Sequence, residues 1–474
     1  MLFNSFSYFL FLPIVFLLYW LPVKEKRLGW QNIILLVASY FFYCCWDWRF
    51  AFLIAFTSAS SYLSAIYIEN GRFGSRKFWV TFNVVINLCI LGFFKYAGFF
   101  VDSFKVLIEA FGLSVTGPAI NIVLPVGISF YTFQAIGYTI DVYRGKIAAS
   151  HNALRFFTFL AFFPQLVAGP IERASRLLPQ FDYARTFNYR QASEGFSLIL
   201  KGLLLKIVVA DRLAVFVDSI YNNPSAASGL SIVFAVIFFA FQLYTDFYSY
   251  SEIARGSAKL LGVEIMLNFR RPYLSLSFKE FWKRWHISLS SWFMDYVYIP
   301  LGGNRKGRVR WMVNVFIVFL LSGLWHGASW TFVAWGFCCA FCMVAFDRFL
   351  SHTIKLTVFN RLFVFSLWAL SLILFRAQTF ADAAHLFSAM GFGNSGELLA
   401  FGLGKSELVF TWVILALLVF QELLFERQAE RFLLKFLAGP SWVRVLCALC
   451  EVLIIVFLGR YGIGSESKFI YFQF

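Results

Sequence analysis

The sequence predicts an all-α polytopic membrane protein, on three observations. Of its 474 residues 60% are hydrophobic and only 14% charged, where soluble domains carry about a quarter charged. The mean hydropathy is +0.72. Apolar segments able, or nearly able, to cross roughly 30 Å of hydrocarbon recur along the whole chain. They are continuous and lack a two-residue alternation, so helices rather than a barrel would satisfy the backbone in lipid.

Taken in order, the expected spans are 6–22, 30–46, 50–68, 78–98, 121–140, 194–219, 230–248, 311–327, 329–347, 361–375, 407–425 and 443–459, a total of about 11–13 helices. The net charge of +16 follows this alternation. Lys24, Lys26 and Arg27 follow the first span and Arg72, Arg76 and Lys77 the third. Arg144 and Lys146, the run Arg270 to Arg284, the cluster Arg305, Lys306, Arg308 and Arg310, and the stretch Arg427 to Arg444 fall on the same side. Positive charge marks the cytoplasmic face, so topology absorbs most of the excess and a nucleic-acid role has no place. The opening MLFNSFSYF has no basic n-region, so the first span is expected to be retained and the N terminus to face outward.

Three stretches break the pattern of simple spans. Asp102, Lys105 and Glu109 share a helical face in 99–113, which suits an element lying in the membrane interface. Pro164 and Pro170 bracket an apolar run in 153–181 too short to span, which predicts a re-entrant turn. The third, 268–304, is too polar to face lipid and too aromatic for an ordinary loop; a folded re-entrant element lining a cavity satisfies both facts. There is no linker, low-complexity tract or internal repeat, so one domain spanning 1–474, with its core at about 120–350, is the simplest division.

Within this frame two histidines share a Trp-His setting: Trp285-His286 in FWKRWHISLSSW and Trp325-His326 in LLSGLWHGASW. Ionisable side chains among lipid-destined residues usually face a protein interior or a cavity and work there. His326 closes a span flanked by Gly323 and Gly327, which permit close backbone approach. A neutral imidazole is well poised to take a proton from an alcohol, although a histidine bonding between helices is the plainer alternative. His286 follows Lys279, Lys283 and Arg284, cations suited to the phosphates of an acyl carrier or to positive-inside anchoring. Ser288, Ser290 and Ser291 add hydroxyls, but none sits in a nucleophile-elbow pattern. Gln242, Asp246 and Ser249 share a helical face, so Asp246 can orient a histidine, line a tunnel or tie helices together; Glu252 and Arg255 are spaced as an ion pair. Arg376 ends a span opposite the basic loops, which calls for an anionic partner. Cys338, Cys339 and Cys342, like Cys447 and Cys450, lie inside spans without a nearby His or acidic partner, so neither a metal nor a disulfide is expected.

These stretches resemble a known family. LPVGISFYTFQAIGYTIDVYRG (124–145), FFPQLVAGPIERASRLLPQF (162–181), YTDFYSYSEIARG (244–256), FKEFWKRWHISLSSWFMDYVYIPLGGNR (278–305), SGLWHGASWTFVAWG (322–336), LFRA (374–377) and FIYFQF (469–474) are similar to the membrane-bound O-acyltransferases, in the bacterial branch of alginate O-acetylation. That branch usually has Gly-Tyr-Ser-Asp where this chain has Ser249-Tyr250-Ser251-Glu252. The resemblance implies helices around a funnel and tunnel. It places His326 at the family's invariant histidine and His286 at its second functional position. The residues themselves offer Asp246, Lys279, Arg284, Trp285, Trp325, Ser290 and Arg376 as donor-binding or tunnel candidates.

The resulting expectation is an acetyltransferase of the bacterial inner membrane. It holds no bound cofactor and uses acetyl-CoA or another acyl thioester as co-substrate. The acyl group goes toward an extracytoplasmic glycan, directly or through a periplasmic or extracellular acetyltransferase partner. D-alanyl transfer and peptidoglycan O-acylation on the same fold, and a transporter or flippase without chemistry, are the alternatives. Reporter fusions test the topology: at Lys24 to Arg27, Arg72 to Lys77 or Arg305 to Arg310 they are expected to read cytoplasmic, and within 220–228 external. An external reading at Arg305 to Arg310 would remove the rationale for donor entry through 268–304.

Overall fold

The computed structural model describes residues 1–21, 27–71, 74–113, 122–353, 357–391, 401–438, 441–460 and 469–470. Most of these residues are helical, with no β-strand among them. Each expected span meets a helix. Among the described residues six helices are long and apolar enough to cross a membrane, Arg49–Asn70, Arg76–Ala110, Leu230–Leu260, Arg308–His326, Thr357–Arg376 and Lys405–Glu426, while Phe6–Trp20 and Trp330–Phe346 are apolar but shorter. The helices at the expected spans 30–46 and 194–219 also form, but carry Gln31 and Asn32, or Lys206 and Asp211, buried along their length.

Contacts divide the chain into two compact units: residues 1–196, 254–266 and 327–329, and residues 197–253, 267–326 and 330–474. In the first, the expected boundary between a span and an interfacial helix is absent. Helix Arg76–Ala110 runs through it, with only a widened turn at Gly92–Tyr96. No proline interrupts that stretch, and its two glycines, Gly92 and Gly98, do not stop the helix.

The proline-bracketed segment is broken, as its sequence predicts, into helix Ala153–Ala161 and the single turns Phe163–Leu166 and Ala174–Leu177. Its backbone and the chain after it borrow partners from helix Arg27–Cys44. The Ser39 hydroxyl accepts from the Phe163 amide at 3.0 Å, and Asn32 Nδ2 donates to the Phe181 carbonyl at 3.0 Å. Gln31 exchanges two bonds with the backbone of Arg185, at 2.9 and 3.0 Å. Buried irregular backbone needs such partners where water is absent.

The second unit is built on an aromatic core. Trp335 and Trp368 lie 6.0 Å apart, with Phe281 at 4.6 Å and Trp285 at 4.9 Å from Trp368, and Phe375 at 5.0 Å from Trp335. Helices Arg308–His326 and Trp330–Thr353 pack backbone to backbone beside it. A Cβ on Gly323 would lie 2.3 Å from the Phe332 carbonyl oxygen, and one on Gly336 2.3 Å from that of Phe319. The close approach that Gly323 allows is therefore taken by the neighbouring helix. Gly323→Ala is expected to overpack this seam and destabilise by about 1–3 kcal/mol, read as a lower Tm of detergent-purified protein. An unchanged Tm would mean that the helices separate without penalty.

Candidate active site

The stretch 268–304 positions His286 by a short antiparallel pairing. The Arg270 amide donates to the Arg284 carbonyl and the Ile287 amide to the Asn268 carbonyl, each at 2.9 Å. Helices Phe278–Arg284 and Ile287–Phe293 meet at this point, and of the two residues between them Trp285 is extended while His286 takes a left-handed backbone, φ 42° and ψ 54°. Among the described residues, the other non-glycine residue at positive φ is Arg271, φ 48°, in the same stretch. Such a conformation costs roughly 1–2 kcal/mol for a residue with a Cβ and persists where surrounding contacts over-determine it. Here the contacts converge on Asn268, which is fully buried. Its Oδ1 lies 2.8 Å from Ser288 Oγ, 3.2 Å from His286 Nδ1 and 3.3 Å from the Ser288 amide.

His326 ends the helix Arg308–His326 and is buried like His286. Its ring meets Trp325 at 4.9 Å, Trp335 at 5.2 Å and Phe375 at 5.3 Å, all edge-on. The two imidazoles lie 6.5 Å apart, and Trp325 stands 5.7 Å from His286. Burial pushes the His286 imidazole down to about 3, so it is neutral near pH 7. Both histidines line one cavity of about 910 Å³.

Of the other sequence candidates, Lys279, Trp285 and Ser290 also line the cavity, together with Lys283 and Arg308. Arg284 turns elsewhere, toward Glu280 and, at 3.1 Å, Glu426, which Arg361 also meets at 2.7 Å. Asp246 reaches neither histidine through its recorded bonds. It pairs with Lys206 at 2.5 Å and accepts from the Ile470 amide at 2.6 Å. Lys206 meets Asp211 at 2.8 Å and lies 4.5 Å from the Phe469 ring, so this knot fastens the C-terminal segment. Glu252 faces Lys201 at 3.5 Å. Arg376 finds its anion in Asp218, at 3.0 Å. Sequence reasoning passed over Asn268, although it opens the polar aromatic stretch; a buried amide just ahead of a cationic run was the available signal. Lys206 and Glu422, which accepts from the Tyr244 hydroxyl, were also missed inside apolar runs.

Residues 146–381 match the family described as MBOAT, membrane-bound O-acyltransferase. The chain is 38% identical to the probable alginate O-acetylase AlgI of Pseudomonas putida, across 98% of both chains. This chain belongs to the membrane-bound O-acyltransferase family. It is therefore a multi-pass membrane protein and an O-acyltransferase. It is also 30% identical to the peptidoglycan O-acetyltransferase of Helicobacter pylori, over 98% of this chain and 96% of that one. It is 29% identical to the teichoic acid D-alanyltransferase of Streptococcus thermophilus, over 50% of this chain and 61% of the relative.

The buried Lys206–Asp246 pair separates structural from chemical roles for Asp246. Removing one partner of such a pair typically costs about 3–5 kcal/mol, so Asp246→Ala is expected to lower Tm clearly while the folded fraction retains its donor affinity by calorimetry. An unchanged Tm with lost turnover would place Asp246 in the chemistry instead.

Proposed function

We propose that this O-acyltransferase sits in a bacterial cytoplasmic membrane, N terminus outward, and moves an acetyl group from a cytoplasmic thioester, acetyl-CoA, toward hydroxyls of an extracytoplasmic polysaccharide. The observation that carries the reading is the pair of buried histidines on one cavity, in a chain similar end to end to a probable alginate O-acetylase. A cavity of about 910 Å³ has room for far more than an acetyl group, as a thioester donor with its carrier arm requires. Lys279, Lys283 and Arg308 supply cations on its lining for donor phosphates. Trp282 and Trp285 supply apolar wall.

In the direct route, His326 takes the proton of the acceptor hydroxyl as its oxygen attacks the thioester carbonyl, the C–S bond breaks, and the thiolate leaves with the carrier. His286 positions the donor. In the relay route a histidine nitrogen attacks the thioester carbonyl, the C–S bond breaks and the thiolate leaves with the carrier, and the acetyl group then passes from the imidazole to an acceptor or partner acetyltransferase outside, freeing the histidine. The peptidoglycan O-acetyltransferase among the relatives supports a glycan acceptor in general, and alginate-like polysaccharide is the reading we favour on identity.

Acetyl transfer by purified His326→Asn and His286→Asn proteins at saturating donor tests this assignment. Replacing His326 is expected to remove turnover with donor binding intact. At position 286 an amide retains one hydrogen bond, and losing a single bonding group at a reacting centre costs about 10²–10³ in rate. Near-native turnover by His326→Asn would refute its role as base. Complete loss in both, with donor binding intact in both, would refute the division of labour and leave the pair acting as one unit.

A further inference from the structure

We infer that Asn268 is a positioning residue that fixes the tautomer of His286, placing the ring proton on Nδ1 and the lone pair on Nε2. The inference rests on the reading of His286 as a functional histidine and adds which of its nitrogens can accept. It stands on geometry. The backbone N–H of Ser288 lies 3.3 Å from the Asn268 side-chain oxygen, and a backbone amide can only donate. The Ser288 hydroxyl adds a second donor to the same oxygen at 2.8 Å. Rotating the amide by half a turn would set its NH₂ against that N–H, donor to donor. The opposite end of the amide is also placed, since Asn268 Nδ2 donates to Ser251 Oγ at 3.3 Å. Oδ1 is therefore the atom that faces His286.

His286 Nδ1 lies 3.2 Å from this oxygen. An oxygen that only accepts requires a proton on the nitrogen it faces; a bare Nδ1 would set two lone pairs against each other in a buried site. The Ser288 hydroxyl does not relieve that repulsion, because it stands 3.5 Å from Nδ1 and is directed to the amide oxygen. A neutral imidazole carries one ring proton, so Nε2 holds the lone pair. His286 then meets the donor through an accepting nitrogen, the nitrogen that would carry the acyl group in the relay route, and does not polarise a carbonyl by N–H donation. Asn268 reinforces this from the backbone, since its own carbonyl accepts from the Ile287 amide and so holds the left-handed turn at His286.

The test is ring ¹⁵N NMR of ¹⁵N-histidine-labelled protein in lipid nanodiscs, with the His286 signals assigned by their loss in His286→Asn, alongside acetyl transfer. The wild-type protein is expected to show a protonated Nδ1 and an unprotonated Nε2 at His286. Asn268→Ala is expected to give mixed tautomers and a kcat reduced by between about tenfold and 10⁴-fold, the upper bound being the loss when a triad histidine is held in the wrong tautomer. Asn268→Asp keeps the acceptor and is expected to restore the Nδ1 proton and part of kcat. A wild-type proton on Nε2 overturns the proposal, as does an Asn268→Ala protein with an unchanged tautomer. If Asn268→Ala does not accumulate, the wild-type and Asn268→Asp spectra decide alone. A His286→Asn protein with wild-type turnover beside a confirmed Nδ1 proton would overturn the functional reading of His286 and leave the tautomer assignment standing.

Discussion

Pairing of backbone polar groups without help from water is the constraint on which this fold depends. The long helices meet it internally. The two segments that cannot are the proline-bracketed stretch after helix Ala153–Ala161 and the region around His286, and each is completed by side chains from elsewhere in its own unit. Gln31, Asn32 and Ser39 serve the first, and Asn268 with Ser251 and Ser288 serves the second. These amides and hydroxyls are buried because the irregular backbone requires them. Irregular backbone at His286 in turn permits an imidazole to be aimed by a turn instead of by the regular period of a helix.

The two kinds of buried polarity have separate tasks. The side chains packed on the histidine rings include the Asn268 amide, the Ser288 hydroxyl and the edges of Trp325, Trp335 and Phe375. The buried ion pairs are made with other partners, Lys206 with Asp211 and Asp246, Arg376 with Asp218, and Arg284 and Arg361 with Glu426. A charge next to a neutral imidazole would bias its protonation, whereas an amide orients it without doing so.

Hydropathy sufficed to read the helical class and the approximate spans, because length and apolarity are local properties. The Trp-His echo pointed to both histidines, since an ionisable group in such a setting is rare enough to stand out. What stayed hidden depends on partners distant in sequence. Arg284 looked available for a ligand, yet Glu426 lies 142 positions away. Asp246 is occupied by Lys206, 40 positions before it, and by the amide of Ile470, 224 positions beyond. Asn268 is only 18 positions from His286, but its role depends on the pairing of 268–270 with 284–287, which no helical or strand periodicity announces. Helix Arg76–Ala110 was divided in reading because a charged face resembles an interfacial element, while nothing in its sequence stops the helix.

The glycine seam between helices Arg308–His326 and Trp330–Thr353 has a mechanical consequence. Where two backbones touch directly, no rotamer can change to let them slide, so His326 and Trp335 travel as parts of one stiff body. Any breathing that admits a bulky molecule to the cavity falls to the other wall. There the chain passes through a widened turn at Met294–Tyr298 and then through Gly302, Gly303 and Gly307, all at positive φ. The His326 side of the enclosure is thus the stiff one, and its imidazole stays in register with the aromatic rings around it.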